Sequence, residues 1–584
     1  MMLQAARVVT RYCLPAGCGD LPHVTQQLDS FLDTFSADWT ILEAYRRTTS
    51  LRCVQYVAAR ESTETRDPFY KRWLLNGTAE LAANRGDLAA VQWLMESYLQ
   101  SESVDNVAGA AAAHGHLEIL EWRYDQHRER SCFGGIEMCG ALESNHRDVA
   151  WWLRQHAEPR AECRSKVLHS AAQAGNLEVV EWLCEEFELD GVTGLVFAIQ
   201  GGQWKTARWI IERYNVTEGS LDMYFPARHG ELSFMKYLAS RHLGDFHERT
   251  LVAAAGNGHL DVVKWLNVDR GVGLTVDAMR EAAENGHLEV VEWLFEKRSS
   301  MCDASVLTGA AEFGQLAVLQ WLQSRWSGGL SSIAIDRAAG NGQIEVVKWL
   351  FSNRTEGCST QAMNNAAKNG HLGIVQWLHE HQSAECTIFA MDAAAGAGNL
   401  EVVKWLHEHR EEGCSTAAMN LAASKGYLDV VKWLHHNRNE GCTSEAMDLT
   451  AQNGHLTVVK WLNENRLEGC TPAAMVNSAG AGHLDIVKWL IKNRHETGFS
   501  SALSHAIQYT QFDVVIFLHS YHQENFLLPA NCILRLPLEL QQWLQLHYPD
   551  KLSGSRFVNP GVDWDTKWGY RQRACANYYN FVWE

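Results

Sequence analysis

Two rows of side chains have the right types for chemistry. Cys358, Cys386, Cys414, Cys442 and Cys470 recur every 28 residues, and His379, His381, His407, His409, His435 and His436 fall between them. Thiolates and imidazoles bind zinc at about 2.0–2.3 Å in a tetrahedron. That chemistry needs side chains that converge on one point, and equal spacing argues for a stack instead. Equivalent places in a helix stack lie about 8–10 Å apart, too far for one ion. They also exceed the roughly 7 Å Cα separation that a disulfide tolerates. The cysteine row is expected as reduced thiols, which fits cytosol or nucleus. A second row follows glycine: His116, His259, His287, His371, His455 and His483. Gln315, Gln343, Asn399 and Tyr427 stand in the same place. These types share hydrogen bonding but not metal affinity, so the row is expected to tie to backbone. No phosphate loop, G-x-S-x-G or H-E-x-x-H occurs, and "GNG" and "GAG" are helix stops. No catalytic residue, metal or cofactor is assigned, and no enzyme is expected.

The elements that carry these rows form a repeat. Trp265, Trp293, Trp321, Trp349, Trp377, Trp405, Trp433, Trp461 and Trp489 are each 28 residues apart. Trp93, Trp122, Trp152, Trp182 and Trp209 extend the pattern more loosely, and about sixteen units result. A fixed period of this size signals a solenoid. In "CSTAAMNLAASKGYLDVVKWLHHNRNEG" (414–441), Ser415 fits an N-cap, as do Thr443, Thr471, Thr387, Ser359 and Ser331 in the same place. Ala418, Met419, Ala422 and Ala423 give a small apolar face, and Gly426 suits a left-handed helix stop. Asn145 and Thr510 replace that glycine in two units. The second helix, "LDVVKWLHHNR", is apolar on more than one side, so it needs a neighbouring unit to cover it. The tryptophan beside its leucine is expected in the core.

At "AAENGHLEVVEWL" (282–294) the chain resembles ankyrin repeats, through the alanine pair, the Gly-His turn and the Leu-Glu-Val-Val helix. The resemblance recurs from about Trp73 to Asn525. The unit departs from the usual one of about 33 residues with its T-P-L-H signature. The shortfall lies where ankyrins form β-hairpin fingers. The resemblance therefore implies an all-α, ankyrin-like helix-turn-helix solenoid of about sixteen short repeats, with few or no fingers. Residues 1–72 are expected as a helical cap and 73–525 as the array, strictly periodic from about 218. Residues 526–584 are expected as a degenerate last repeat with an aromatic cap.

The 584 residues carry a net charge of −18. A sequence-independent nucleic-acid binder needs a basic footprint, so nucleic acid is excluded on this ground. No apolar run is long enough to span a membrane. The start, with Arg7 and Arg11 and no acid before Asp20, has a weak transit-peptide character, and mitochondrial import is not expected. A monomer that binds a protein partner is expected.

Ankyrin repeats use the outer face of the first helix for partners, which directs attention to places that vary while the frame stays fixed. These are Arg280, Asp336, Asn364, Asp392, Asn420 and Asp448, and the preceding place held by Phe389, Glu445, Gln361 and Ile333. "ILRLPLELQQWL" (533–544) holds L-P-x-E-L, which resembles the opening of an F-box. The alternative function is therefore a ubiquitin-ligase adaptor. The same residues also align with a worn second helix.

Overall fold

A computed structural model describes residues 39–60, 67–98, 104, 106–127, 133, 135–326, 328, 331–355, 357–381, 386–494, 498–521 and 536–549. The transit-like start and the aromatic tail lie outside them. By contact the chain forms two units, residues 1–216 with 530–584, and residues 217–529.

The second unit shows the repeat most plainly. First helices such as Ser332–Gly340, Thr360–Lys368, Ile388–Gly396, Thr416–Ser424 and Ser444–Gln452 each precede a second helix, for example Leu400–His409 after Ile388–Gly396. First helices pack most densely on first helices. Their alanine pairs allow this: Ala366, Ala367, Ala394, Ala422 and Ala423 are fully buried. The second helix buries Val402, Val403 and Leu406, each contributing about 1.5–3 kcal/mol. A two-residue parallel pairing of Leu221–Asp222 with Gly244–Asp245 is the strand content of the described residues. The array is all-α, and no finger is present in those residues.

Four of the six expected caps bond through the side chain, whereas Ser331 and Thr443 hold the N-cap place without a side-chain cap bond. Ser359, Thr387, Ser415 and Thr471 accept a hydrogen bond from the first-turn N–H of Gln361, Phe389, Ala417 and Ala473. The stops are left-handed, Gly258 at φ +78° for instance. Asn145 and Thr510, each at φ +60°, adopt the same conformation without glycine. At Gly258 there is a second demand: a Cβ would lie 2.6 Å from Nδ1 of His287 in the next repeat.

The tryptophan row differs from expectation. Trp152, Trp182 and Trp265 are buried, but Trp293 to Trp489 are only partly so. The ring sits at the edge of the core, and the neighbouring repeat covers one side of it. Phe295, His379, His407 and His435 each meet the next tryptophan edge-on, at centroid separations of 5.5, 5.2, 5.2 and 5.2 Å.

In the first unit, Ile41–Thr48 and Leu51–Arg60 precede the long helix Pro68–Asn84. Tyr45 donates to Asp87 at 2.9 Å, and burial with that contact pushes its phenol well above the ordinary range. The helix Leu538–His547 also packs on Pro68–Asn84. There Asn76 donates to Glu539 at 2.9 Å, and His547 lies 3.2 Å from Asp67. Leu536, Leu540, Trp543 and Leu544 are all buried.

Candidate functional site

Five residues expected to face a partner do something else. Asp336, Asn364, Asp392, Asn420 and Asp448 are buried. Each bonds to the helix cap 23 residues later. Ser415 donates its N–H to Oδ1 of Asp392 at 2.7 Å and its hydroxyl to Oδ2 at 2.6 Å. Ser359 treats Asp336 in the same way, at 2.8 and 2.6 Å, and Thr471 treats Asp448 so at 2.8 and 2.7 Å. Where the place holds asparagine, one bond reverses. Thr443 donates its N–H to Asn420 Oδ1 at 3.0 Å, while Asn420 Nδ2 donates to the Thr443 hydroxyl at 2.8 Å. Asn364 and Thr387 repeat that pattern at 3.3 and 3.1 Å. The variation between Asp and Asn is internal to the stack, because either amide or carboxylate completes the same cap. This ladder joins repeats across the tight loop where fingers would stand.

The other three residues remain on the surface. Phe389 is 49% exposed, Glu445 is exposed, and Arg280 is half-exposed and paired with Asp277 at 2.9 Å. Ile333, in the same place as Phe389, is 50% exposed, and Ile388 and Leu421, which the sequence does not single out, join them on the first-helix face. Lys368 and Lys425 are exposed on the same face.

The histidines act structurally. His116 and His259 place Nε2 3.1 Å from the carbonyls of Asn84 and Arg228 in the preceding repeat. Gln315 and Asn399 donate to the carbonyls of Glu284 and Lys368, at 3.1 and 2.8 Å. In the other row, Arg410, Arg438 and Arg466 donate to Nδ1 of His379, His407 and His435 at 3.5, 3.4 and 3.5 Å. Each arginine also pairs with the glutamate two residues on. A guanidinium only donates, so these imidazoles present an unprotonated Nδ1. Burial, then Arg466 and His436, hold the His435 pKa below its usual value. Burial pushes the thiols of Cys358, Cys386 and Cys414 up to about 11, so they stay protonated and unreactive near neutrality. Among the described residues no group of three or more His, Cys, Asp or Glu could hold a metal ion. The F-box-like segment is folded into the first unit, with Leu536 and Leu540 buried and Glu539 bonded to Asn76. Among the described residues no helix is long and apolar enough to cross a membrane.

The model of the ankyrin repeats (three copies) matches residues 137–220, 335–414, 363–448 and 390–472. The period, the helix pairs and this match make the chain an ankyrin-like repeat protein. No curated protein matches it. Among solved structures, it is similar to the pentatricopeptide repeat protein PPR10 from maize at 13% identity, covering 91% of each chain with a TM-score of 0.30. PPR10 in complex with an 18-nt psaJ RNA element matches at 12% identity, over 90% of this chain and 92% of that one, with a TM-score of 0.33. One of these similar repeat proteins is in complex with RNA, and the exclusion of nucleic acid drawn from net charge is withdrawn. Net charge sums the whole chain and is silent on any local strip. At these TM-scores the likeness carries no argument about what this chain binds.

Proposed function

We propose that this ankyrin-like array is a non-catalytic scaffold that binds a protein partner along the exposed face of its first helices. The observation that carries this reading is the division of labour on those helices. The polar places beside the buried Ile335, Met391 and Met447 are committed to the inter-repeat ladder. Large apolar side chains at Ile333, Ile388, Phe389 and Leu421 nevertheless stay 41–50% exposed on the same helices. A frame held rigid by its own caps, with anchors left in water, suits recognition at low ordering cost. Arg280, Phe389 and Glu445 are the contact residues, and the row of protonated thiols fits cytosol or nucleus.

The test is affinity capture from cell lysate with the intact chain and with the triple variant Arg280→Glu, Phe389→Asp, Glu445→Lys, read by mass spectrometry. The expected result is loss of specific partners with the melting temperature unchanged. Retention of the same partners by the variant would overturn the reading.

A further inference from the structure

Three consecutive first helices, Thr360–Lys368, Ile388–Gly396 and Thr416–Ser424, share one exposed strip. Ile388 and Phe389, 48% and 49% exposed, open the middle helix. One turn beyond Phe389 stands Ala393. The same two places in the next helix hold Ala417 and Leu421, the latter 41% exposed. Phe389 and Leu421 occupy one diagonal of this square and two alanines the other, so the surface dips over Ala393 and Ala417. Leu421 leans on Gly396, where an added Cβ would lie 2.8 Å from Leu421 Cβ. The rim of the dip is therefore fixed by packing.

Charge gathers at the far end of the same helices. Lys368 closes the first helix and Lys425 follows the third, both exposed. Other cations of this face are paired, Arg280 with Asp277 and Arg337 with Glu312. Among the described residues no carboxylate pairs with Lys368 or Lys425. The one carboxylate on these three helices is Asp392, buried with both oxygens bonded to Ser415. In a chain of net charge −18, this strip has two cations and no exposed anion. The frame also changes here. Asn341, Asn369 and Asn453 tie back to the carbonyls of Glu312, Gly340 and Ser424. The same place holds Ala397 and Lys425 in the repeats between.

Resting on the first-helix reading above, we infer that these three repeats dock a protein segment in which an aliphatic or aromatic side chain lies beside carboxylates. The apolar side chain fills the dip over Ala393 and Ala417, between Phe389 and Leu421. The carboxylates lie over Ala397, with Lys368 and Lys425 each one repeat away, about 8–10 Å along the stack. Desolvating the anchor supplies affinity, and the two lysines set register and speed encounter.

The full chain is used to select from a random peptide phage library. Selected peptides are synthesised with a fluorophore and titrated by anisotropy. The proteins are the wild type, Lys368→Glu with Lys425→Glu, Phe389→Ala with Leu421→Ala, and Arg337→Glu. All substituted side chains are exposed, and a thermal melt confirms folding. The expected consensus has Asp or Glu beside Leu, Ile or Phe. Each double variant weakens binding about tenfold or more, and Arg337→Glu leaves it unchanged. A neutral or basic consensus, or acidic peptides bound equally by the double variants, overturns the site. Peptides sensitive to Arg337→Glu but not to the double variants remove this site and leave the first-helix face in place. Peptides indifferent to every variant remove both. A labelled oligouridine bound more tightly than any peptide, and lost on lysine reversal, assigns the strip to nucleic acid and overturns the inference.

Discussion

Asp392 accepts two hydrogen bonds from Ser415, whereas Asn420, one repeat on, accepts one from Thr443 and returns the other. Removing the side chain at such a place strands a cap N–H. Asp392→Ala should therefore cost about 1–3 kcal/mol, measured by chemical denaturation and by faster amide exchange at Ser415. Asp392→Asn should cost less, because it recreates the Asn420 arrangement. The pairing was present in the sequence: wherever this place holds Asp or Asn from 336 to 448, a Ser or Thr follows 23 residues later. It was missed because a polar residue after a buried methionine reads as outward-facing, when it points sideways into the next repeat. The proposed contact residues Phe389 and Glu445 were legible as variable, exposed places, whereas Leu421 and the lysines carry no signal until the helices are stacked. His435 gives a pH test. Its folded pKa lies below the usual value, so the folded state favours the neutral ring. The stability this contributes is present above about pH 6.5 and is lost as pH falls through the depressed folded pKa. His435→Gln should remove that part of the pH dependence, read as stability against pH below 6.5.

Helix pairs, caps and stops were legible because the 28-residue period repeats them with few exceptions. The depth of the tryptophan row was not, since proximity to leucine cannot say how far the neighbouring repeat covers a large ring. The turn glycines make a sharp prediction. Gly258 needs a positive φ and has His287 Nδ1 2.6 Å from where a Cβ would be. Gly258→Ala should cost about 1–2 kcal/mol from backbone conformation alone, with a further loss from the displaced ring, seen in thermal melts. The helix Leu538–His547 repeats the second-helix pattern yet serves the first unit, against Pro68–Asn84. Nothing in its own residues names that partner, because the surface it covers lies more than 450 positions away, as Asn76 and Glu539 show by bonding at |i−j| = 463. Trp543 is 1% exposed, so Trp543→Ala should cost about 3–5 kcal/mol. Limited proteolysis should then open Pro68–Asn84 before any site in the second unit.

At the scale of the molecule, each repeat is held by its neighbours through three recurring ties: cap to Asp or Asn, turn side chain to backbone carbonyl, and arginine to histidine. Stability in such an array is a sum of nearest-neighbour terms, so damage to one tie stays local and the distant surface keeps its shape. That is the property a scaffold needs, and it separates residues that hold the frame from residues that meet the partner. Hydrogen–deuterium exchange of the full chain, with and without its captured partner, tests that separation most directly. Added protection is expected in the first helices, centred on Thr360–Lys368, Ile388–Gly396 and Thr416–Ser424, with little change in the second helices. Protection confined to the second helices, around the tryptophan row, would contradict it.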